Sequence, residues 1–492
     1  MSLGGYVYLV GAGPGDLGLL TIKAKECLER ADVILYDRLI NPLLLEWTKP
    51  ECEHIYCGKL PKRHIVRQEA INEKLIEYGK QGKVVVRLKG GDPSVFGRVG
   101  EEANALDEAG VPYEIIPGIT AGIGAATYAG IPVTHREHGA SFAVVTGHDK
   151  SEDGQPLIDW KALATGIDTI AFYMGVKNLD YISSQLVRHG KPLHTPVVLI
   201  QWGTLGGQQT VEGTLETIAD RVRQSTLTNP AITLVGDVAS LRTQPSWFER
   251  KSLFGEQLLF ARTSSHPSAI AKELTTEGAE VFEFPRYSTE KVDSPALDVT
   301  KYEDILFLQP ESVSAFFKWL RDERIDLRNC RARFYVRSKK SQEAVEQHGC
   351  NVSNLEERNE RVNFLIIGEE QWSKKEIELT ETYGKHDFLV SHRETLITSC
   401  ERTCERLNEE GRLKTIVFPS AESVKTVTKS FLSLGWTPEE MSKERTVICF
   451  GPTSKKAAVE AGYKVNATLD TPSKKALIEQ LKLFRNQEVI RR

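Results

Sequence analysis

The feature that most constrains this chain is a recurring unit: a short apolar run that stops at glycine or aspartate and leads into a helical stretch. Tyr6–Val10 runs into Gly11, Ala31–Tyr36 into Asp37, and Lys83–Leu88 into Lys89-Gly90-Gly91-Asp92. Further runs span Ser141–Thr146, Thr169–Met174, Pro196–Ile200 and Ile232–Val235. Such runs suit buried strands and are too short for buried helices. Strands alternating with helices predict an α/β fold. Ligands of such folds sit beyond the carboxyl ends of strands, and here those ends carry Gly11, Asp37, Gly90 and Met174.

A chain of 492 residues has room for about three domains. A boundary is expected near 243–256, where Thr243-Gln244-Pro245-Ser246 closes one block and Gly255 precedes a new strand, Leu258–Ala261. The second block is again α/β and repeats itself. Ile305–Val313 resembles Ile416–Val424, and Phe334-Tyr335-Val336 before Gly349 parallels Val447–Phe450 before Gly462. A duplicated strand–loop–helix unit predicts two similar lobes. Glu369–Lys385 is charged and reads as an exposed helix or linker. Ile115–Thr134 carries no charge, but its two prolines, four glycines and few large aliphatics make it a loop plus a small-residue helix rather than a bilayer span.

The balance of 63 basic and 67 acidic residues argues against a nucleic-acid coat and leaves room for a local basic pocket. Eight cysteines are too sparse for a disulfide framework, and with no CxxC or HExxH no metal site is expected. Met1–Tyr6 lacks a charged n-region, so a cytoplasmic protein with no membrane partner is expected.

Gly11-Ala12-Gly13-Pro14-Gly15-Asp16 follows the first strand. A dinucleotide fingerprint needs a third glycine where Asp16 stands. Pro14 removes an N–H donor, and Asp16 puts negative charge where a pyrophosphate would lie. Two readings remain: a tight turn, or a backbone approach to a ligand without phosphates. Gly90-Gly91-Asp92-Pro93 likewise lets backbone come close to a ligand. Its aspartate suits a ribose, an amine or a cationic sulfonium.

These segments occur in order with Tyr36-Asp37-Arg38-Leu39, Pro117-Gly118-Ile119-Thr120-Ala121, Ala129-Gly130-Ile131-Pro132, Thr134-His135-Arg136, Thr146-Gly147-His148 and Tyr173-Met174-Gly175. Together they closely resemble the uroporphyrinogen-III C-methyltransferases of the tetrapyrrole methylase family, over roughly residues 5–245. The resemblance implies an S-adenosylmethionine site between two α/β subdomains, about 1–117 and 118–245, usually in a homodimer formed through this half. It implies cofactor contacts at Pro14, Gly90, Gly91, Asp92, Val95, Thr120, Ala121, Met174 and Gly203, an acid/base aspartate at Asp37 and a lysine at Lys59. A carboxylate is the residue type that can take the proton a methylated pyrrole carbon sheds. Arg98 and Glu101 make a second candidate pair, and a strand-end turn is the other reading of Asp37. The substrate is a polycarboxylate, which arginine grips well. Arg38, Arg98 and Arg136 lie inside motifs and are assigned to it, whereas Lys62 and Arg67 read as solvated.

The second block, 256–492, resembles uroporphyrinogen-III synthase more loosely, through Leu258–Arg262, Gly278-Ala279-Glu280-Val281 and Gly451-Pro452-Thr453. Lobe one would take in about 256–288 and 394–492, lobe two about 289–393. Phe307-Leu308-Gln309-Pro310 and Phe418-Pro419-Ser420 depart from that family's Phe-Thr-Ser, and His392 falls near its usual tyrosine. Arg262 and Thr453 are the candidate carboxylate contacts; a strand-end surface charge and a helix cap are the alternatives. The expectation is a bifunctional enzyme that cyclises hydroxymethylbilane and methylates the product twice to precorrin-2. The alternative is a second half that only binds or presents tetrapyrrole.

Overall fold

A computed structural model describes residues 5–58, 67–148, 154–242, 244–292, 297–358, 362–471 and 473–491. The first half contributes strands Tyr6–Gly11 (β1), Val33–Tyr36 (β2), Glu53–Tyr56 (β3), Val84–Lys89 (β4), Tyr113–Ile116 (β5), Phe142–Thr146 (β6), Thr169–Tyr173 (β7), Pro196–Gln201 (β8), Gln209–Thr214 (β9) and Ala231–Val235 (β10). The second contributes Gln257–Ala261 (β11), Glu280–Phe284 (β12), Tyr287–Lys291 (β13), Asp304–Phe307 (β14), Arg333–Val336 (β15), Phe364–Glu369 (β16), Asp387–Leu396 (β17), Thr415–Phe418 (β18), Thr446–Cys449 (β19) and Ala467–Thr468 (β20).

They form four five-stranded sheets. The first, β3-β2-β4-β1-β5, is parallel throughout. Its inner strands β1 and β2 read as continuous apolar runs because a parallel sheet is covered on both faces. Gly11 pairs with Lys89 across β1 and β4, so the Gly11 and Gly90 loops leave the sheet side by side. The second sheet, β6-β7-β10-β8-β9, has β6 and β7 parallel and its other pairs antiparallel. The helix Ile22–Arg30 starts where Thr21 Oγ1 accepts from the Ala24 amide. The uncharged stretch after β5 is a loop followed by the helix Ala121–Tyr128. A Cβ at Gly124 would stand 2.7 Å from Pro14 Cγ, which is why that helix is built from small residues.

The third sheet, β12-β11-β18-β19-β20, is parallel. The fourth, β13-β17-β16-β14-β15, is parallel except for β13. The internal repeat is physical: β14, helix Pro310–Asp322 and β15 in one sheet match β18, helix Ala421–Ser433 and β19 in the other. Glu370–Ser373 and Glu376–Tyr383 are short, mostly exposed helices with Leu379 buried. No helix among the described residues is long and apolar enough to cross a membrane.

Two compact bodies result. One comprises the chain up to Arg262, Pro267–Phe284 and Thr398 onward; the other comprises Thr263–His266 and Pro285–Ile397. The first three sheets thus share one body. The stretch expected as a boundary is folded within it, with Trp247 and Phe248 packed edge-on against Tyr128 at 4.8 and 4.7 Å between ring centres.

His54, on β3, is buried, and burial lowers its pKa from 6.5 to about 4, with the charge of Arg402 acting in the same direction. Its neutral form is the one the fold accepts. Stability from this group is therefore complete above pH 6.5 and is lost as pH falls towards about 4. At about 1.4 kcal/mol per pH unit the loss is about 3 kcal/mol. Urea titrations across that window are expected to show a flatter dependence for His54→Gln; an unchanged slope contradicts the assignment.

Candidate active site

Three strand-end loops of the first body meet backbone to backbone. Gly13 and Gly91 pair as an isolated antiparallel bridge, with N–H to carbonyl distances of 3.1 and 2.8 Å. A Cβ at Gly118 would lie 2.3 Å from the Gly91 carbonyl oxygen and 3.0 Å from Gly11 Cα. Asp92 ties the loops together: Oδ1 accepts from the Ser94 amide at 2.7 Å and Oδ2 from the Gly118 amide at 3.0 Å. Val95 turns on the same loop, its amide donating to the Asp92 carbonyl. Only glycine fits at the crossing. Gly118→Ala is expected to destabilise the first body by about 1–3 kcal/mol, the usual cost of overpacking. Urea unfolding showing native stability contradicts this.

The second sheet closes the site. Tyr173 OH lies 2.5 Å from both Thr120 Oγ1 and the Gly122 amide, at the start of the Ala121–Tyr128 helix. Burial raises its pKa, so it remains a neutral phenol. Phe96 packs against it with its ring tilted by 57°, 5.3 Å between ring centres. Met174 follows in the left-handed region, φ 58°, with its side chain half exposed. Gly203 sits against Ala125, where a Cβ would come within 2.3 Å of the alanine methyl. Among the described residues, six non-glycine residues have positive φ, and five of them (Phe96, Arg98, Met174, Trp202 and Thr204) belong to these loops. Strain of this kind concentrates where a site over-determines the backbone.

Asp16 is a latch. It accepts from Tyr128 OH at 2.7 Å and from the Gly18 amide, while its own amide donates to Thr204 Oγ1. The charged side chains on the glycine loops 11–16 and 90–95 are Asp16 and Asp92, and 118–125 carries none. Such a lining fits a cation or a neutral adenosine better than a pyrophosphate.

Asp37 leaves β2 on the neighbouring loop, which is pressed against Gly90: a Cβ there would be 2.7 Å from Leu39 Cβ. Asp37 Oδ1 accepts from the Leu39 amide at 2.9 Å, and Oδ2 lies 3.9 Å from Arg87 Nη2. Arg87 and Lys89 are both buried and converge on Glu102, which is fully buried. Arg87 Nε is 3.2 Å from Oε1, Lys89 Nζ 2.7 Å from Oε2, and Gln68 adds a bond of 3.0 Å to Oε1. Burial lowers the Lys89 pKa against the pull of Glu102. The sequence reading passed over Glu102 in favour of its neighbour. Arg98 and Glu101 are brought together, but as an exposed surface pair.

Arg38 is exposed and lines a cavity of about 580 Å³ with Trp202, Gln208 and Arg412. Arg136 is exposed on the loop closed by the His135–Gly139 bridge. Lys59 and Lys62 lie outside the described residues. In the second half, Arg262 follows β11 and lies 3.9 Å from Glu283. Thr453 is exposed in the first turn of the helix Pro452–Glu460, whose cap is Gly451, so Thr453 is not the cap. The other body holds a cavity of about 340 Å³ lined by His266, Glu311, Trp319, Ser391 and His392. His392 Nε2 is buried there with no hydrogen-bond partner among the described residues.

Residues 6–219, which carry these glycine loops, match one family model, the tetrapyrrole (corrin/porphyrin) methylases. The chain belongs to the tetrapyrrole methylase family. It is 43% identical over 453 residues, 92% of each chain, to a uroporphyrinogen-III C-methyltransferase of Bacillus subtilis. It is 57% identical to the enzyme of that name from Priestia megaterium over 236 residues, 48% of this chain and 99% of that one. A solved structure of uroporphyrin-III C-methyl transferase from Thermus thermophilus complexed with S-adenyl homocysteine is 36% identical, covering 48% of this chain and 99% of that one, with a TM-score of 0.42.

Proposed function

We propose that the first half is an S-adenosylmethionine-dependent C-methyltransferase that converts uroporphyrinogen III to precorrin-2 in two rounds. The observation that carries this reading is the cradle of Gly11, Gly13, Gly91 and Gly118, locked by Asp92, whose loops 11–16, 90–95 and 118–125 carry no lysine or arginine. When bound, S-adenosylmethionine supplies an electrophilic methyl group. Pro14, Gly90, Gly91, Asp92 and Val95 would hold it on one side, and Thr120, Ala121, Met174 and Gly203 on the other. Holding two reactants in line accounts for much of the acceleration such a site needs. Asp37 accepts the proton released from the ring carbon, at Oδ2, with Arg87 balancing the charge. Arg38 and Arg136 grip ring carboxylates. Arg98 and Glu101, exposed and already paired, are the weaker base candidates.

The second half, about 256–492, is proposed to cyclise hydroxymethylbilane to uroporphyrinogen III. Support comes from the two sheets of the second half, which carry the same strand–helix–strand unit, as the resemblance to a two-lobed synthase implies. Arg262 and Thr453 would contact carboxylates. The polypeptide is proposed to act in the cytoplasm as a homodimer joined through its first half.

Both steps are tested with the full chain. Hydroxymethylbilane alone is expected to give the type III isomer; only type I means that the second half is a binding module. Adding S-adenosylmethionine is expected to give a product carrying two new methyl groups; an unmethylated ring overturns the first step.

A further inference from the structure

The loop that carries Asp37 is held by the other half of the chain. Arg406 lies on the helix Ser399–Glu409. Its Nη2 donates to the carbonyls of Arg38 and Ile40, at 2.6 and 2.9 Å. Its Nε is fixed by Glu410 at 3.0 Å, and the guanidinium lies 5.9 Å from the centre of the Tyr36 ring. These contacts bracket Asp37: Tyr36 precedes it, and the two carbonyls flank Leu39, whose amide orients the Asp37 carboxylate. Neighbouring contacts make the attachment firm. Arg402 donates to the His54 carbonyl at 3.3 Å and Thr403 to Glu46 at 2.6 Å. Leu43 is buried in one apolar cluster with Leu259, Phe284, Phe418 and Phe431.

We propose that Arg406 is a positioning residue for methyl transfer, so that the second half of the chain sets the aim of the base in the first. This rests on the reading of Asp37 given above. A guanidinium suits the task because its donors are fixed in one plane, so two carbonyls bound to it are fixed relative to each other. Without it the Asp37–Leu39 bond is the one hydrogen bond left to the turn at 38–40 among the described residues, and the carboxylate is held less firmly while the glycine cradle is untouched.

The test uses the full chain. Arg406→Ala is expected to lower the kcat of methylation on the order of tenfold, since small misplacements of a reacting group have costs of that size or larger. Its affinity for S-adenosylhomocysteine is expected to stay within about twofold. Arg406→Lys, which keeps the charge and can reach one carbonyl, should fall between. Arg402→Ala loosens the same helix contact away from the turn and should keep the native kcat. Arg406→Ala at full rate, or Arg402→Ala losing as much, overturns the proposal. If Arg406→Ala does not fold, Arg406→Lys decides: a native kcat overturns it. A wild-type chain that does not methylate at all removes the underlying reading and the inference with it.

Discussion

Asp37→Asn is expected to lower kcat for methylation by about 10²–10⁴-fold, the usual worth of a positioned acid or base, while S-adenosylhomocysteine binds as before. The amide has the shape of the carboxylate and can still accept from the Leu39 amide, so the turn survives. Arg87 keeps its partner Glu102, so no buried charge is orphaned. What is lost is the capacity to take a proton. Paired single-turnover and calorimetric measurements check both halves of this statement. A native kcat excludes Asp37 as the base, and a matching loss in Glu101→Gln would move the role to the exposed Arg98–Glu101 pair.

Glu102→Gln is expected to destabilise the first body by about 3–5 kcal/mol, the cost of breaking a buried ion pair from one side. Glu102 is 0% exposed, and Arg87 and Lys89 each retain only 5%. Neutralising it leaves two buried cations facing only the partly exposed Asp37, 3.9 Å from Arg87. The Lys89 ammonium, which burial already disfavours, is the first to give up its proton. Relief of that kind moderates the loss at high pH, so the variant is expected to lose most near neutrality. Urea unfolding showing a change below about 1 kcal/mol would mean that the triad is solvated rather than buried.

Much of the fold is legible because it is local. Apolar runs ending in glycine or aspartate predict β1, β2 and β4 and the loops that follow them, and the repeat around Ile305 and Ile416 predicts the matching halves of the third and fourth sheets. The glycines at 13 and 91 announce close backbone approach, although a sequence does not say that they meet each other and Gly118. The choice between Glu101 and Glu102 shows where reading stops. Both open the helix Val99–Glu108, and only its rotation, which buries Glu102, Ala103 and Leu106, sends one carboxylate inward. The hold of Arg406 on the Arg38 carbonyl spans 368 residues and leaves no local trace. Tyr173 stands inside a motif, yet its bonds to Thr120 and Gly122 depend on two sheets meeting. At Thr453 the helix start is legible, and Gly451, not Thr453, takes the cap, which removes the capping alternative.

The glycine cradle is proposed to hold a sulfonium methyl donor rather than a pyridine nucleotide. Titrating the full chain with S-adenosylhomocysteine and, separately, with NADPH in a calorimeter tests it most directly. Saturable one-to-one uptake of the first and no heat from the second is the predicted result. Tight NADPH binding with silence from S-adenosylhomocysteine would contradict it.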